Sequence, residues 1–397
     1  MMQLIKDFFN RDKRRMKRKF QTACKHSGLM QIYKSGSKQY RVYPTIIEQD
    51  YSKEKIEIRF IIRNGMEVNS EKFILFCQQS FNCKVVLLKQ INIKTFLLTI
   101  LQRDLEKNIH YNYQDYEKSI KTKRVPVLVG YNHQRKLIVF DMKQSPHMLV
   151  SGTSGGGKSS LLRAIIMSMI QSAKDIDLYL SDFKMSELLL YKPIAKGVAV
   201  NNQQLQVLLS RICKELDNRS RLLEAYGVLH TDNLPAKVRP NVIVVVIDEL
   251  LLLEGHKENL KYIERISAIG RALNCYLLLA CQRFESKVIS GFIKNNINLV
   301  VSFKTANEIS SRLNGISGAE QLSVKGRCLI SVNGSVEEVQ VPFISANQVK
   351  KLLKDYITQQ IEQPQPVQEN PYNQLTLTER PTTEENRLEN ILEGNEW

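Results

Sequence analysis

Three consecutive glycines, Gly155-Gly156-Gly157, followed at once by Lys158 and Ser159, are the residues of this 397-residue chain with the plainest chemistry. Backbone without side chains lets successive N–H groups converge on a polyanion, and a lysine adds a cation. A serine hydroxyl can join the shell of a hard divalent ion. With Gly152 the spacing is G-x-x-x-x-G-K-S, so the loop comprises Gly152, Thr153, Ser154, Gly155, Gly156, Gly157, Lys158, Ser159 and Ser160. Phosphoryl chemistry also needs carboxylates, and Asn241-Val-Ile-Val-Val-Val-Ile-Asp-Glu249 ends in two. Asp248 is the candidate to share Mg²⁺ with Ser159, and Glu249 to orient and deprotonate an attacking water. Gln282, just past the apolar run Tyr276–Ala280, can report on a terminal phosphate through its amide, or can be an ordinary polar residue at a strand end.

These groups need strands that end where helices begin. Met148-Leu-Val150 reads as a buried strand, and Leu161 to Ile170 as a strongly apolar helix after the loop. Further apolar runs at 176–180, 197–200, 242–247, 276–280 and 299–303 alternate with helical stretches, which predicts an α/β core with a mainly parallel sheet. Its ligand sites lie at the C-terminal strand ends, where the motifs fall. Residues 125–129 and 136–140 predict a strand, turn and strand ahead of the loop.

The remainder divides by composition. Residues 1–39 begin as a basic amphipathic helix, an arm suited to DNA phosphate or an anionic bilayer, or simply solvated. Residues 40–107 alternate as a small α+β module, 108–124 read as a polar, tyrosine-rich linker, and 125–345 as the nucleotide-handling core. A helix over 346–361 precedes an acidic, proline-containing tail, 362–397, expected to be disordered. A net charge of +17 exceeds what a small-molecule enzyme requires and points to an anionic partner, nucleic acid first. Seven scattered cysteines without a C-x-x-C pair suggest neither a disulfide framework nor zinc, and fit a reducing cytoplasm. No apolar run reaches the length of a membrane span.

Pro146 to Ser159, Ser181-Asp-Phe-Lys-Met-Ser-Glu-Leu188, the strand ending in Asp248-Glu249, Gly270-Arg-Ala272, Ala280-Cys-Gln-Arg283 and Gly318-Ala-Glu-Gln-Leu322 occur in this order. From about Val125 to Ser345 the chain thereby resembles the FtsK/SpoIIIE family of DNA-translocating ATPases. The resemblance implies a RecA-like core binding ATP and Mg²⁺, assembled as a homo-hexamer around single- or double-stranded DNA. On the matching positions it gives ATPase roles to Lys158, Ser159, Asp248, Glu249 and Gln282, and offers Arg312, with Arg271 and Arg283 as alternatives, as the arginine completing a neighbour's site. Chromosome-segregating members carry N-terminal membrane spans and a winged-helix sequence reader. The chain resembles more the compact members of plasmids and integrative elements, which implies a role in conjugative transfer beside a relaxase or membrane transfer complex. Segregation or packaging of DNA, protein secretion, and a non-translocating ATP-switched adaptor are the alternatives.

Overall fold

The computed structural model describes residues 2–52, 55–83, 85–101, 104–172, 175–285, 288 and 290–362, the side chains of 2–12, 85 and 359–362 aside. They form two compact units, Met1–Glu106 with Tyr131–Lys136, and Lys107–Gly130 with Leu137–Trp397. The tail expected over 362–397 lies, from residue 363, outside the described residues.

The first unit opens with helix α1 (Met2–Ser27) and an exposed hairpin, β1 (Gln31–Ser35) and β2 (Lys38–Val42). Strands β3 (Thr45–Tyr51) and β4 (Lys55–Ile61), helix α2 (Ser70–Phe81), and strands β5 (Val85–Gln90) and β6 (Thr95–Leu101) follow. The four strands pair antiparallel in the order β3-β4-β6-β5. One face of β4, Ile56, Ile58 and Phe60, is buried against Phe73 and Cys77 of α2, as its alternation dictates. The arm expected over residues 1–39 is built into this module. Met16, Phe20, Ala23 and Cys24 recur at helical spacing and are buried in the same core, Phe20 against Phe60 and Phe73.

The second unit opens with α3 (Tyr113–Lys121), where the sequence reads a linker. Tyr116 and Ile120, one turn apart, are buried, and the hydroxyls of Tyr111 and Tyr113 donate to Gln171 at 2.7 and 3.0 Å. The tyrosines that made the stretch look solvated are anchors. Strands β7 (Pro126–Asn132), β8 (Leu137–Asp141) and β9 (Met148–Ser151) lead into α4 (Lys158–Ser172). Then come β10 (Ile176–Asp182), β11 (Gly197–Ala199), α5 (Asn202–Ala225), β12 (Val242–Asp248), α6 (Lys257–Ile269) and β13 (Cys275–Cys281). Helix α7 (Gly291–Asn296), β14 (Leu299–Phe303), α8 (Glu308–Leu313), β15 (Arg327–Val332), β16 (Ser335–Gln340) and α9 (Ala346–Glu362) complete it.

Ten of these strands make one sheet, ordered β11-β10-β12-β13-β9-β14-β15-β16-β7-β8. The first six run parallel, and β15 and β16 add antiparallel. Ile243, Val245 and Ile247 of β12 pack with Leu205, Leu209 and Ile212 of α5 and Ile263 and Ile266 of α6. Val244 and Val246, on the other face by the pleat, are equally buried, so β12 is apolar throughout. The β7–β8 hairpin does not flank β9; β14, β15 and β16 intervene.

Candidate active site

The order of strands locates the site. From β9 the chain crosses three places along the sheet to β10, and after β13 it returns to the opposite side of β9 as β14. Such a reversal opens a crevice at the C-terminal strand ends. The glycine loop leaves β9 there and opens α4 at Lys158.

Neighbouring strands hold the loop from both sides. Gly152 N–H donates to Gln282 O at 3.3 Å, Thr153 N–H to Lys304 O at 2.9 Å, and Gly326 N–H to Gly156 O at 2.8 Å. At Gly157, with φ +128°, a Cβ would meet Phe303 Cε1 at 2.8 Å and Gly326 Cα at 2.9 Å, so a side chain there would push the loop off its support. The backbone N–H groups of Ser154, Gly155, Gly157, Lys158 and Ser159 donate to no group among the described residues. Five such donors at the start of a 15-residue helix form a cradle for phosphate oxygens. Two expected members face elsewhere. The Thr153 hydroxyl donates to Lys304 O at 3.1 Å, and that of Ser160 donates to Pro342 O and accepts from Ile344 N–H, both at 3.0 Å.

Lys158 Nζ donates to Gly152 O at 2.6 Å. Burial pulls this ammonium below the usual lysine value, against the opposing pull of Glu249, Cys281 and Asp248. At the end of β12, burial with the nearby Asp182 and Glu249 pushes Asp248 up to about 6. Glu249 leaves the strand with φ +68°, a left-handed conformation uncommon outside glycine, and its side chain is buried. Its Oε1 accepts from Gln282 N–H at 3.2 Å, which ties together the ends of β12 and β13. The structure thus brings Lys158, Asp248, Glu249 and the Gln282 backbone into one crevice, with the Gln282 side chain exposed.

The three arginines differ in place, and Arg283 directly follows Gln282. Arg271 precedes the N-terminal end of β13, a seven-residue strand whose other end carries Gln282, roughly 20 Å away along the sheet. Arg312 pairs with Glu308 at 2.5 Å and Arg283 with Glu285 at 2.7 Å, both exposed.

Two residues without a role assigned from sequence belong to the site. Asp182 lies beside Asp248 in the β10–β12 register and is fully buried. Its Oδ2 accepts the N–H groups of Ser186, Glu187 and Leu188 at 3.0, 2.9 and 2.8 Å, while Oδ1 has no partner among the described residues. Two residues on, Lys184 Nζ donates to Glu249 Oε2 at 2.6 Å. Both fall in the stretch Ser181–Leu188 that helps carry the family resemblance, which assigned neither of them a role.

No group of three or more His, Cys, Asp or Glu side chains among the described residues could cage a metal ion. The donors present, the Ser159 hydroxyl and the Asp248 carboxylate with the orphaned Asp182 Oδ1 beside it, are hard oxygens. They fit Mg²⁺ bound mainly by phosphate and water. No described helix is long and apolar enough to cross a membrane.

The FtsK/SpoIIIE family model matches residues 112–242, starting one residue before α3. The DNA translocase FtsK of Borreliella burgdorferi is 32% identical over 251 residues, 58% of this chain and 32% of that protein. The DNA translocase FtsK of Staphylococcus aureus is 32% identical over 267 residues, 62% of this chain and 34% of that protein. The chain therefore spans about a third of the length of these relatives. Among solved structures, the pCW3 conjugation coupling protein TcpA with ATPγS superposes with a TM-score of 0.58 at 24% identity, covering 79% of this chain and 93% of that one. EssC (ATPases 2 and 3) from Geobacillus thermodenitrificans gives 0.58 at 13%, covering 66% and 54%. These two likenesses concern the fold. Residues 112–242, which hold the glycine loop and helix α4, thus carry an FtsK/SpoIIIE family domain, the domain of a family of P-loop ATPases.

Proposed function

We propose that the chain hydrolyses ATP to move DNA, as a homo-hexamer, in the conjugative transfer of a mobile element. The observation that carries the ATPase reading is the five-donor loop, with its own Lys158, facing Asp248 and Glu249 in one crevice. In this reading the loop N–H groups and Lys158 hold the phosphates, and Ser159 and Asp248 hold Mg²⁺, which supplies charge neutralisation at the transferred phosphoryl group. Glu249 takes the proton of the attacking water, and Gln282 stands beside the loop to respond to the terminal phosphate.

Charge supports DNA as the track. In the first unit α1 exposes Lys13, Arg14, Arg15, Lys17 and Arg18, none ion-paired among the described residues. A cavity of about 410 Å³ is lined by Arg14, Arg15, Arg18 and Lys19 with the hydroxyl residues Thr22 and Ser80. Cations left without acidic partners suit a phosphate backbone. Conjugation is favoured by likeness to a coupling protein over most of both chains. A relaxase and a membrane transfer complex at the cytoplasmic face are the partners this reading calls for.

DNA-stimulated ATP turnover by the purified chain, measured across a salt series, tests the reading. Stimulation that falls steeply with salt supports it, because DNA binding releases counterions. Turnover indifferent to DNA but raised by a secreted polypeptide would replace DNA with protein as the cargo.

A further inference from the structure

Phosphate and metal binding leave one contact in the crevice unexplained. Glu249 has both carboxylate oxygens engaged, Oε1 by Gln282 N–H and Oε2 by the Lys184 ammonium at 2.6 Å. An acid formed on Glu249 by taking a proton from water would lose the ion pair with Lys184. Base catalysis from this arrangement therefore carries the cost of parting the pair. The loop bearing Lys184 is braced: Asp182 Oδ2 gathers four N–H groups that follow it, and Glu187 pairs with Arg163 of α4. The Lys184 side chain is the free part, 45% exposed on a four-carbon stem, whereas the Glu249 side chain is 8% exposed. The lysine can thus swing to solvent or to an anion while the carboxylate stays in place.

We propose that Lys184 is a positioning residue that restrains Glu249 between turnovers, and that hydrolysis begins by parting the Lys184–Glu249 pair. The inference rests on the ATPase reading of the same site. Turnover without DNA is slow because the pair is closed, and DNA-stimulated turnover is fast because it is open.

The test is steady-state ATP turnover of wild type, K184M, K184R and K184M/E249Q, each with and without DNA, alongside affinity for a fluorescent ATP analogue. K184M is expected to raise the DNA-free rate several-fold to about tenfold, the scale of one partly buried ion pair. Its DNA-stimulated rate and nucleotide affinity should stay near wild type. K184R, which keeps the pair, should keep the low DNA-free rate, and K184M/E249Q should be inactive, showing that the gain runs through Glu249. A damaged fold lowers rates and affinity together and cannot produce this gain; if K184M does not fold, K184Q takes its place. A DNA-free K184M rate at or below wild type, with affinity kept, overturns the inference and makes Lys184 a structural tie or a participant in the reaction. Wild type that turns over no ATP with or without DNA is a different pattern: it overturns the ATPase reading, and this inference with it.

Discussion

Lys158 and Glu249 meet in one crevice, and in the proposed reaction they act at different moments, so their variants should fail differently. Lys158→Ala removes the half-buried cation at the phosphate cradle, and turnover should fall at least about 100-fold with the thermal midpoint kept. Glu249→Gln should bind ATP and stall, visible as nucleotide retained on the protein; hydrolysis at the wild-type rate would remove Glu249 as the base. A second prediction concerns His147. Burial pulls its imidazole from 6.5 down to about 4, while its Nδ1 accepts from Leu277 N–H at 3.1 Å. Below the unfolded value the unfolded chain binds a proton that the folded one does not. Stability should therefore fall as pH drops from 6.5 to 4, by about 3 kcal/mol from this residue. His147→Asn, which tolerates the residue's φ of +60°, should flatten that part of the curve in urea titrations against pH. The glycine loop was legible in the sequence because its chemistry lies within eight consecutive positions. The stretch holding Asp182 and Lys184 was noticed but their place in the site was not, since it depends on the register that sets Asp182 against Asp248.

At the scale of elements, the alternation of apolar strands and helices was readable because strands buried on both faces are apolar throughout. Strands β15 and β16 were missed: Arg327, Glu337 and Glu338 interrupt their apolar pattern, and the buried Arg327 donates to Gln340 Oε1 and Glu338 at 2.9 and 2.8 Å. Helix α3 was missed because its tyrosines counted as polar before their partners on α4 were known. Arg219 is another buried cation that periodicity does not explain. From α5 it donates to Leu273 O at 2.7 Å and Asn241 O at 2.8 Å, the segments that enter β13 and β12. Arg219→Met should leave those carbonyls unsatisfied and cost about 2–4 kcal/mol, read as a lower urea midpoint with the urea dependence unchanged.

At the scale of the whole molecule, the three exposed arginines bear on assembly. Each is exposed, as an arginine serving a neighbour's site would be. Mixing Arg312→Ala subunits with Lys158→Ala subunits should restore part of the lost ATPase activity, because an interface joining an intact loop to an intact arginine can form. Arg271→Ala and Arg283→Ala make parallel tests. If Arg312→Ala is inactive alone and no mixing ratio restores turnover, Arg312 does not act in trans. The central claim is movement along DNA driven by ATP, and displacement of a third-strand oligonucleotide from a duplex measures it most directly. The account predicts displacement that requires hydrolysable ATP and is absent with Glu249→Gln. DNA-stimulated ATP hydrolysis without any displacement would contradict it and leave an ATP-switched adaptor that does not translocate.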